Sequence, residues 1–289
     1  MITLTPEYLT AHFLRDSRLS PEVVTAFRTM IHGYYRDNPR PMPWRETDDP
    51  YRILVSEIML QQTQVERVKL KYTEFLNVFP TVHELAAAPL PELLKVWQGL
   101  GYNRRALYLK RCAEAIVAHW GGMFPRTAHG LQSLPGIGPY TARAVAAFAF
   151  GAAEPLIETN IRTLFIHFFF HGREQVSDGE IMPLIAVTLD GEHPRDWYYA
   201  LMDYGVMLKQ NHPNPSRRSR HHTQQSRFEG SNRQLRSRLL REILAQPGIT
   251  VAELLVQSAA ERDAVERNLE ALQAEGFLVK QKRGYLVAG

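Results

Sequence analysis

From Tyr51 the chain runs for about a hundred residues in which apolar side chains return every three or four positions, with Pro or Gly at each interruption. The segments read ILVSEIMLQQTQVERVKLKYTEFLNVF, TVHELAAA, LPELLKVWQGL and NRRALYLKRCAEAIVAHW. Alternating β-branched stretches are almost absent, so the class is all-α. Helices are expected to continue over 158–172 and 178–208, the latter in more than one piece. Residues 5–36 read as one or two amphipathic helices, with Ser20-Pro21-Glu22 starting the second. Between them and the core, RDNPRPMPWRETDDPYR (36–52) breaks regular structure. It is short and carries aromatic and arginine residues, which suits a shaped loop rather than a linker.

At 289 residues there is room for two domains and a small third module. An apolar fraction of 45% and a charged fraction of 22% are those of a soluble globular protein. A formal charge of +4 and a pI near 9.2 permit a polyanionic partner without demanding one. A single cysteine, Cys112, excludes a disulfide within the chain and any cysteine-ligated cluster or zinc site. The first twenty residues lack the basic-then-apolar layout of a signal peptide, and no apolar run approaches the roughly 20 residues that span a bilayer. A reducing, cytoplasmic setting and no membrane partner are therefore expected.

LPGIGPYTA (134–142) joins two helical segments, with Pro139 suited to the first turn of the second. A Gly-x-Gly turn ahead of a helix leaves backbone N–H groups at a positive N-terminus, which holds a phosphate without side-chain charge. Taken alone, it is equally an ordinary tight turn. Glu57 lies three residues from Leu54 and from Leu60, which sets a carboxylate close to the buried face of the first core helix. Desolvation raises the pKa of a buried carboxylic acid toward what a general acid needs at neutral pH. A helix-end or salt-bridged glutamate would give the same pattern. Gln61 and Gln62 follow where an uncharged wedge could face bases, and Trp44-Arg45 and Gly99-Leu100-Gly101-Tyr102-Asn103-Arg104-Arg105 add aromatics and cations at turns.

At Lys209 the composition changes to KQNHPNPSRRSRHHTQQSRFEGSNRQLRSR, basic and poor in large aliphatics. It reads either as a disordered tether or as a surface that tracks phosphates. Beyond it, helices are expected at 235–246, 249–258 and 260–275, with Gly276 a helix C-cap and FLVKQKRGYLVAG a hairpin turning at Lys282-Arg283-Gly284. Three helices and a hairpin are the plan of a winged helix, a module that binds DNA or serves equally in protein docking.

In this order, PWR, SEIMLQQTQVERV, WQGLGYNRR and LPGIGPYTARAV resemble the helix-hairpin-helix (HhH-GPD) DNA glycosylases, and within them the MutY branch of adenine glycosylases. The resemblance runs from about Arg40 to Lys209. It implies a six-helix barrel at 43–150, a second helical domain from 1–42 plus 151–232, and an active site in the cleft between them; the winged-helix-like module at 233–289 follows. It further implies that Glu57 protonates a flipped adenine and handles the nucleophilic water. Glu158, two residues before Asn160, stands where the family has an aspartate that stabilises the oxocarbenium-like sugar. Tyr140 stands where bifunctional relatives carry a Schiff-base lysine; a phenol cannot form that imine, so little or no lyase activity is expected. Trp44, Arg45, Leu60 and Arg40 match base-pocket positions, and Gln62 and Tyr102 match residues that enter the duplex around the lesion pair. Thr63, Arg104, Pro135, Gly136, Ile137 and Gly138, with Arg217, Arg218 and Arg220 of the basic segment, are expected on the DNA.

Three departures stand out. Ile157-Glu158-Thr159-Asn160 replaces V-D-G-N, which adds a methylene to a carboxylate whose placement matters to within about half an ångström. The family's four cluster-binding cysteines would fall in 209–225, where this chain has none, so no iron–sulfur cluster is expected; a monovalent cation at the hairpin is allowed. The domain that reads 8-oxoguanine in that branch is expected to be missing, with the winged-helix-like tail in its place. The expected function is that of a monomeric, nucleoid-associated, monofunctional DNA glycosylase acting on double-stranded DNA with a mispaired or damaged base. Its first-choice substrate is adenine opposite 8-oxoguanine or guanine. Thymine or uracil opposite guanine is the alternative on the same scaffold, disfavoured because a general acid suits a purine leaving group. A non-catalytic structure-specific DNA-binding protein is the other, favoured only by Glu158.

Overall fold

The computed structural model describes residues 4–16, 18–224 and 227–289. Its helices begin with α1 (Pro6–Asp16), α2 (Pro21–Asp37), α3 (Pro50–Leu60) and α4 (Val65–Val78). Next come α5 (Val82–Ala87), α6 (Leu90–Trp97), α7 (Arg104–Trp120), α8 (Ala128–Gln132) and α9 (Pro139–Phe150). The last are α10 (Thr159–Phe169), α11 (Asp178–Thr188), α12 (Pro194–Asn211), α13 (Asn232–Ala245), α14 (Val251–Ser258) and α15 (Arg262–Ala274). Strands β1 (Ile249–Thr250), β2 (Leu278–Gln281) and β3 (Gly284–Val287) form one antiparallel sheet in the order β1-β3-β2. No helix among the described residues is long and apolar enough to cross a membrane.

Local chemistry sets many of these boundaries. Ser20 caps α2 by accepting from the Val23 N–H, with Pro21 at the first helical position. Thr81 with Glu84 and Thr250 with Glu253 form capping boxes at the starts of α5 and α14. The second of these corrects the helix expected at 249–258: Thr250 is the cap, so Ile249 and Thr250 are left extended and pair with Tyr285 and Gly284. Gly276, at φ +90°, closes α15 with Phe277 N–H on Leu272 O and Gly276 N–H on Gln273 O. The Pro-rich stretch 36–52 is irregular as expected, apart from the end of α2 at Asp37, a 3-10 turn at Pro43–Arg45 and the start of α3 at Pro50.

Contacts divide the chain into two compact units, one of Met1–Ile53, Pro125–Gln132 and Gly138–Gln224, the other of Leu54–Phe124, Ser133–Ile137 and Gln225–Gly289. In this division α9 groups with the first unit, where Phe148 stacks on Tyr199 of α12 at 4.5 Å. The core of the first unit is aromatic. Phe27 of α2 meets Phe165, Phe168 and Phe169 of α10 and Trp197 of α12, with ring centroids 5.3–6.1 Å apart. Truncating such a fully buried Phe to Ala costs about 3–5 kcal/mol. The second unit packs α4 to α7 around Val68, Phe75, Leu93, Trp97 and Ile116, and its C-terminal part buries Leu239, Ile243, Leu254, Leu269 and Phe277.

Candidate functional site

Glu158 is the N-cap of α10, the place where a helix leaves N–H groups unpaired. One carboxylate oxygen accepts from the N–H of Asn160 at 2.6 Å and of Ile161 at 2.8 Å; the other accepts from the Asn160 side-chain amide at 3.2 Å. Lys209 of α12 donates to the Asn160 side-chain oxygen at 2.7 Å, which fixes the amide's orientation. Burial pushes the Glu158 carboxyl up from its ordinary value, against the pull of the Ile161 and Asn160 N–H groups and of Lys209. Burial likewise pulls Lys209 down, opposed by Glu158. The close approach of α12 that makes this contact needs Gly205, because a Cβ there would overlap the carbonyl of Asn160. The sequence reading missed Gly205 and Lys209 as a pair. Their four-residue spacing on one helix face was the available signal.

Upstream, the Tyr198 hydroxyl donates to Glu154 O at 2.6 Å and accepts from the Leu156 N–H at 3.3 Å, which steers the loop into the Glu158 cap. In the same unit, two of the residues matched to the base pocket, Arg40 and Arg45, bond an aspartate that sequence reasoning did not single out. Arg45 bonds both oxygens of buried Asp203 at 2.7 and 2.8 Å, and Arg40 reaches it at 2.7 Å. Arg45 also lies 4.5 Å from the Tyr199 ring centroid, and Trp44 is buried. Burial would depress Arg45, but the hydrogen bonds and charge of Asp203 outweigh it and hold the guanidinium above its ordinary value. Arg195 donates to the carbonyls of Arg45 and Thr47 at 2.8 and 2.6 Å, so the Pro-rich loop is shaped by ion pairs and backbone bonds.

In the second unit, Glu57 is 7% exposed on α3, beside buried Ser56, Ile58 and Met59, while Leu60 at the helix end is half-buried. Arg105, from the first turn of α7, caps this helix. Its guanidinium donates to the carbonyls of Ile58, Met59 and Gln61 at 2.7–2.9 Å, to the Thr63 hydroxyl at 3.1 Å, and to the carbonyls of Leu100 and Gly101 at 3.1 Å. Every one of these acceptors is a neutral oxygen, and burial pushes Arg105 down to about 10. The two loops it gathers carry Gln62 at φ +55° and Tyr102 at φ +48°, the left-handed region that a non-glycine residue adopts only when its surroundings over-determine it. Both are the residues matched to duplex entry.

At the hairpin, Gly136 has φ +76° and a Cβ there would lie 2.5 Å from Cβ of Tyr108, so protein packing dictates that glycine. Ile137 is buried. Gly138 differs: it is the extended N-cap of α9 with open space around it, followed by Pro139 and the half-buried Tyr140. Two arginines expected on DNA have partners within the protein. Arg104 pairs with Glu275 at 2.5 Å, and Arg218 donates to Phe170 O at 2.9 Å at the C-terminal end of α10. Burial holds Arg218 below its ordinary value, and Glu174 opposes that shift. Arg217 and Arg220 are exposed, and Ser219 bridges to Val176, so this part of the basic segment is ordered. Gln225 and Ser226 in that segment lie outside the described residues.

Cys112 is buried on α7 with its thiol pushed up to about 12 by burial.

A sequence profile described as HhH-GPD superfamily base excision DNA repair protein matches residues 55–190. The adenine DNA glycosylase of Homo sapiens is 37% identical over 197 residues, 64% of this chain and 36% of that protein. The adenine DNA glycosylase of Mycobacterium tuberculosis is 31% identical over 285 residues, 89% of this chain and 91% of that protein. The chain therefore spans about a third of the length of the human relative and about nine tenths of the mycobacterial one. The solved structure of a thermostable thymine-DNA glycosylase is similar with a TM-score of 0.57 and 27% identity, over 64% of this chain and 86% of that one.

Proposed function

Because the chain belongs to the adenine DNA glycosylase family of the HhH-GPD superfamily, we propose that it removes adenine mispaired with 8-oxoguanine or guanine in double-stranded DNA by hydrolysing the N-glycosidic bond. The observation that carries the reading is the Glu158 cap. The carboxylate curls back onto the first turn of its own helix, where two N–H groups and the Asn160 amide fix it, so the extra methylene does not leave it wandering. A preorganised anion of this kind stabilises positive charge that develops on a sugar. Glu57 supplies a proton to the departing adenine, the bond electrons leave with the base, and the resulting carboxylate takes the proton of the water that adds to the sugar carbon. Tyr140 offers no amine for an imine, so the product is an abasic site with little or no strand cleavage.

The same reading assigns Gln62 and Tyr102 to the space opened by the flipped base and Leu60, Trp44, Arg45 and Arg40 to the surroundings of the base. Gly138 and the N-terminus of α9 bind a phosphate oxygen. Arg217 and Arg220 track the backbone. The accompanying organisation is a barrel at 43–150, a second domain from 1–42 plus 151–232 that works without a cluster, and a winged-helix-like module at 233–289. Duplexes carrying A:8-oxoguanine, A:G, T:G, U:G and hypoxanthine decide the matter. Abasic product is expected first from the two adenine pairs, and none from any duplex would overturn the enzymatic reading. The likeness to a thymine-DNA glycosylase keeps one second reading in the same assay, with T:G as the preferred substrate.

A further inference from the structure

Tyr102 is held from two sides. Arg105, fixed by the carbonyls it caps, lies 5.5 Å from the ring centroid. Arg233, on the first turn of α13, lies 5.2 Å from the same centroid and donates a hydrogen bond to the phenol oxygen. Arg233 also lies 6.0 Å from the ring of Phe228, which is half exposed just before α13. This contact is anchored nearby. Glu275, at the end of α15, pairs with Arg104 of α7 and with Arg236 of α13, and its carbonyl accepts from Arg111 at 3.3 Å. The C-terminal helices are thereby latched to the start of α7, next to the loop that ends in Tyr102.

We infer that the C-terminal module is a positioning element for Tyr102, acting through Arg233. The inference rests on the glycosylase reading, in which Tyr102 enters the duplex beside the lesion pair. A planar guanidinium that both stacks on an aromatic ring and bonds its hydroxyl fixes ring position and rotation together, which a lysine ammonium does not do. A side chain already ordered in its working geometry loses less conformational freedom on entering the stack. The bond reaches across 131 residues of sequence, so α13 and the loop can be uncoupled without touching either fold.

The test uses the full-length chain and a duplex with 2-aminopurine beside an A:8-oxoguanine pair. Arg233→Met is expected to slow the fluorescence rise that reports base extrusion by roughly tenfold, the range of coupling between contacting residues. Tyr102→Phe should slow it comparably, the double variant no more than the worse single one, and Arg233→Lys should not rescue. For Arg233→Met alone, affinity for undamaged duplex should stay within about twofold. Losses that multiply in the double variant, or an equal loss on undamaged duplex, would make Arg233 a plain phosphate contact and overturn the inference. Amide hydrogen exchange without DNA gives a second decision: residues 99–103 should exchange faster in Arg233→Met, and unchanged exchange overturns the coupling. A wild-type protein that neither extrudes nor cuts, yet shows faster loop exchange in the variant, sinks the glycosylase reading and keeps the coupling.

Discussion

The α10 start and the α3 end solve opposite problems with the same device. At α10 the carboxylate of Glu158 sits on N–H groups at a helix N-terminus, and at α3 the guanidinium of Arg105 sits on carbonyls at a helix C-terminus. Each charge matches the end of the helix dipole it faces, and each is pushed by burial toward its neutral form. The difference lies in what else the charge touches. Glu158 has Lys209 and Asn160 around it and keeps one oxygen less engaged, as the role proposed for it requires. Arg105 is surrounded by carbonyls and one hydroxyl, all occupied in joining the Gln62 and Tyr102 loops. One cap is an instrument of charge, the other of geometry.

The strongest way to break this comparison is at the payload of the Arg105-capped helix. Glu57→Gln should lower single-turnover adenine release by about a thousandfold or more, while gel-shift affinity for the mispaired duplex is retained. Equal loss of binding and cleavage would mean that Glu57 is structural. Gly205→Ala comes next, since the new Cβ must displace the carbonyl of Asn160 and with it the Glu158 cap. A shift of around an ångström should lower the rate about a hundredfold. Unchanged rates would show that the cap does not need α12.

Arg105→Met leaves clustered carbonyls without their donor and should destabilise the protein by about 3 kcal/mol, read as a fall in urea midpoint. Its rate loss should appear in extrusion rather than in bond cleavage. The smallest effect is in pH. Because Glu158 is raised, its anion is fully present above that raised pKa and is lost as pH falls through it. The acid limb of the cleavage profile should therefore lie above the ordinary carboxylate range, and Glu158→Gln should remove that limb as well as lower the plateau. A limb at the ordinary carboxylate value would detach Glu158 from the reaction.

Much of the local architecture was legible because its determinants are neighbours in sequence. Ser20-Pro21 marked the start of α2, Pro139 the start of α9, and Gly276 the end of α15, each within one helical turn of its partners. Glu57 was legible as a carboxylate on a buried face because Leu54 and Leu60 flank it at helical spacing. The two-residue strand β1 was not, because its partner Tyr285 lies 36 residues away and only pairing distinguishes it from a helix start. Nor was Asp203, whose partners Arg40 and Arg45 are some 160 residues distant. Arg104 and Arg218 show the same limit from the other side. Arginines that look free in sequence, one in the Gly99–Arg105 turn and one in the basic segment, also serve the protein's own carboxylates and carbonyls.

By itself, then, the sequence determined the helical class, the Gly-x-Gly turn, the two carboxylates and the family, since periodicity, caps and motif spacing are carried by residues within a few positions of one another. The tertiary structure decided how those groups are held: Gly205 letting α12 reach Asn160, Arg105 joining two left-handed residues, and Arg233 bonding Tyr102. The reason is physical. A buried charge or a strained backbone conformation persists only where partners from distant elements converge, and convergence is a property of packing that no local pattern encodes.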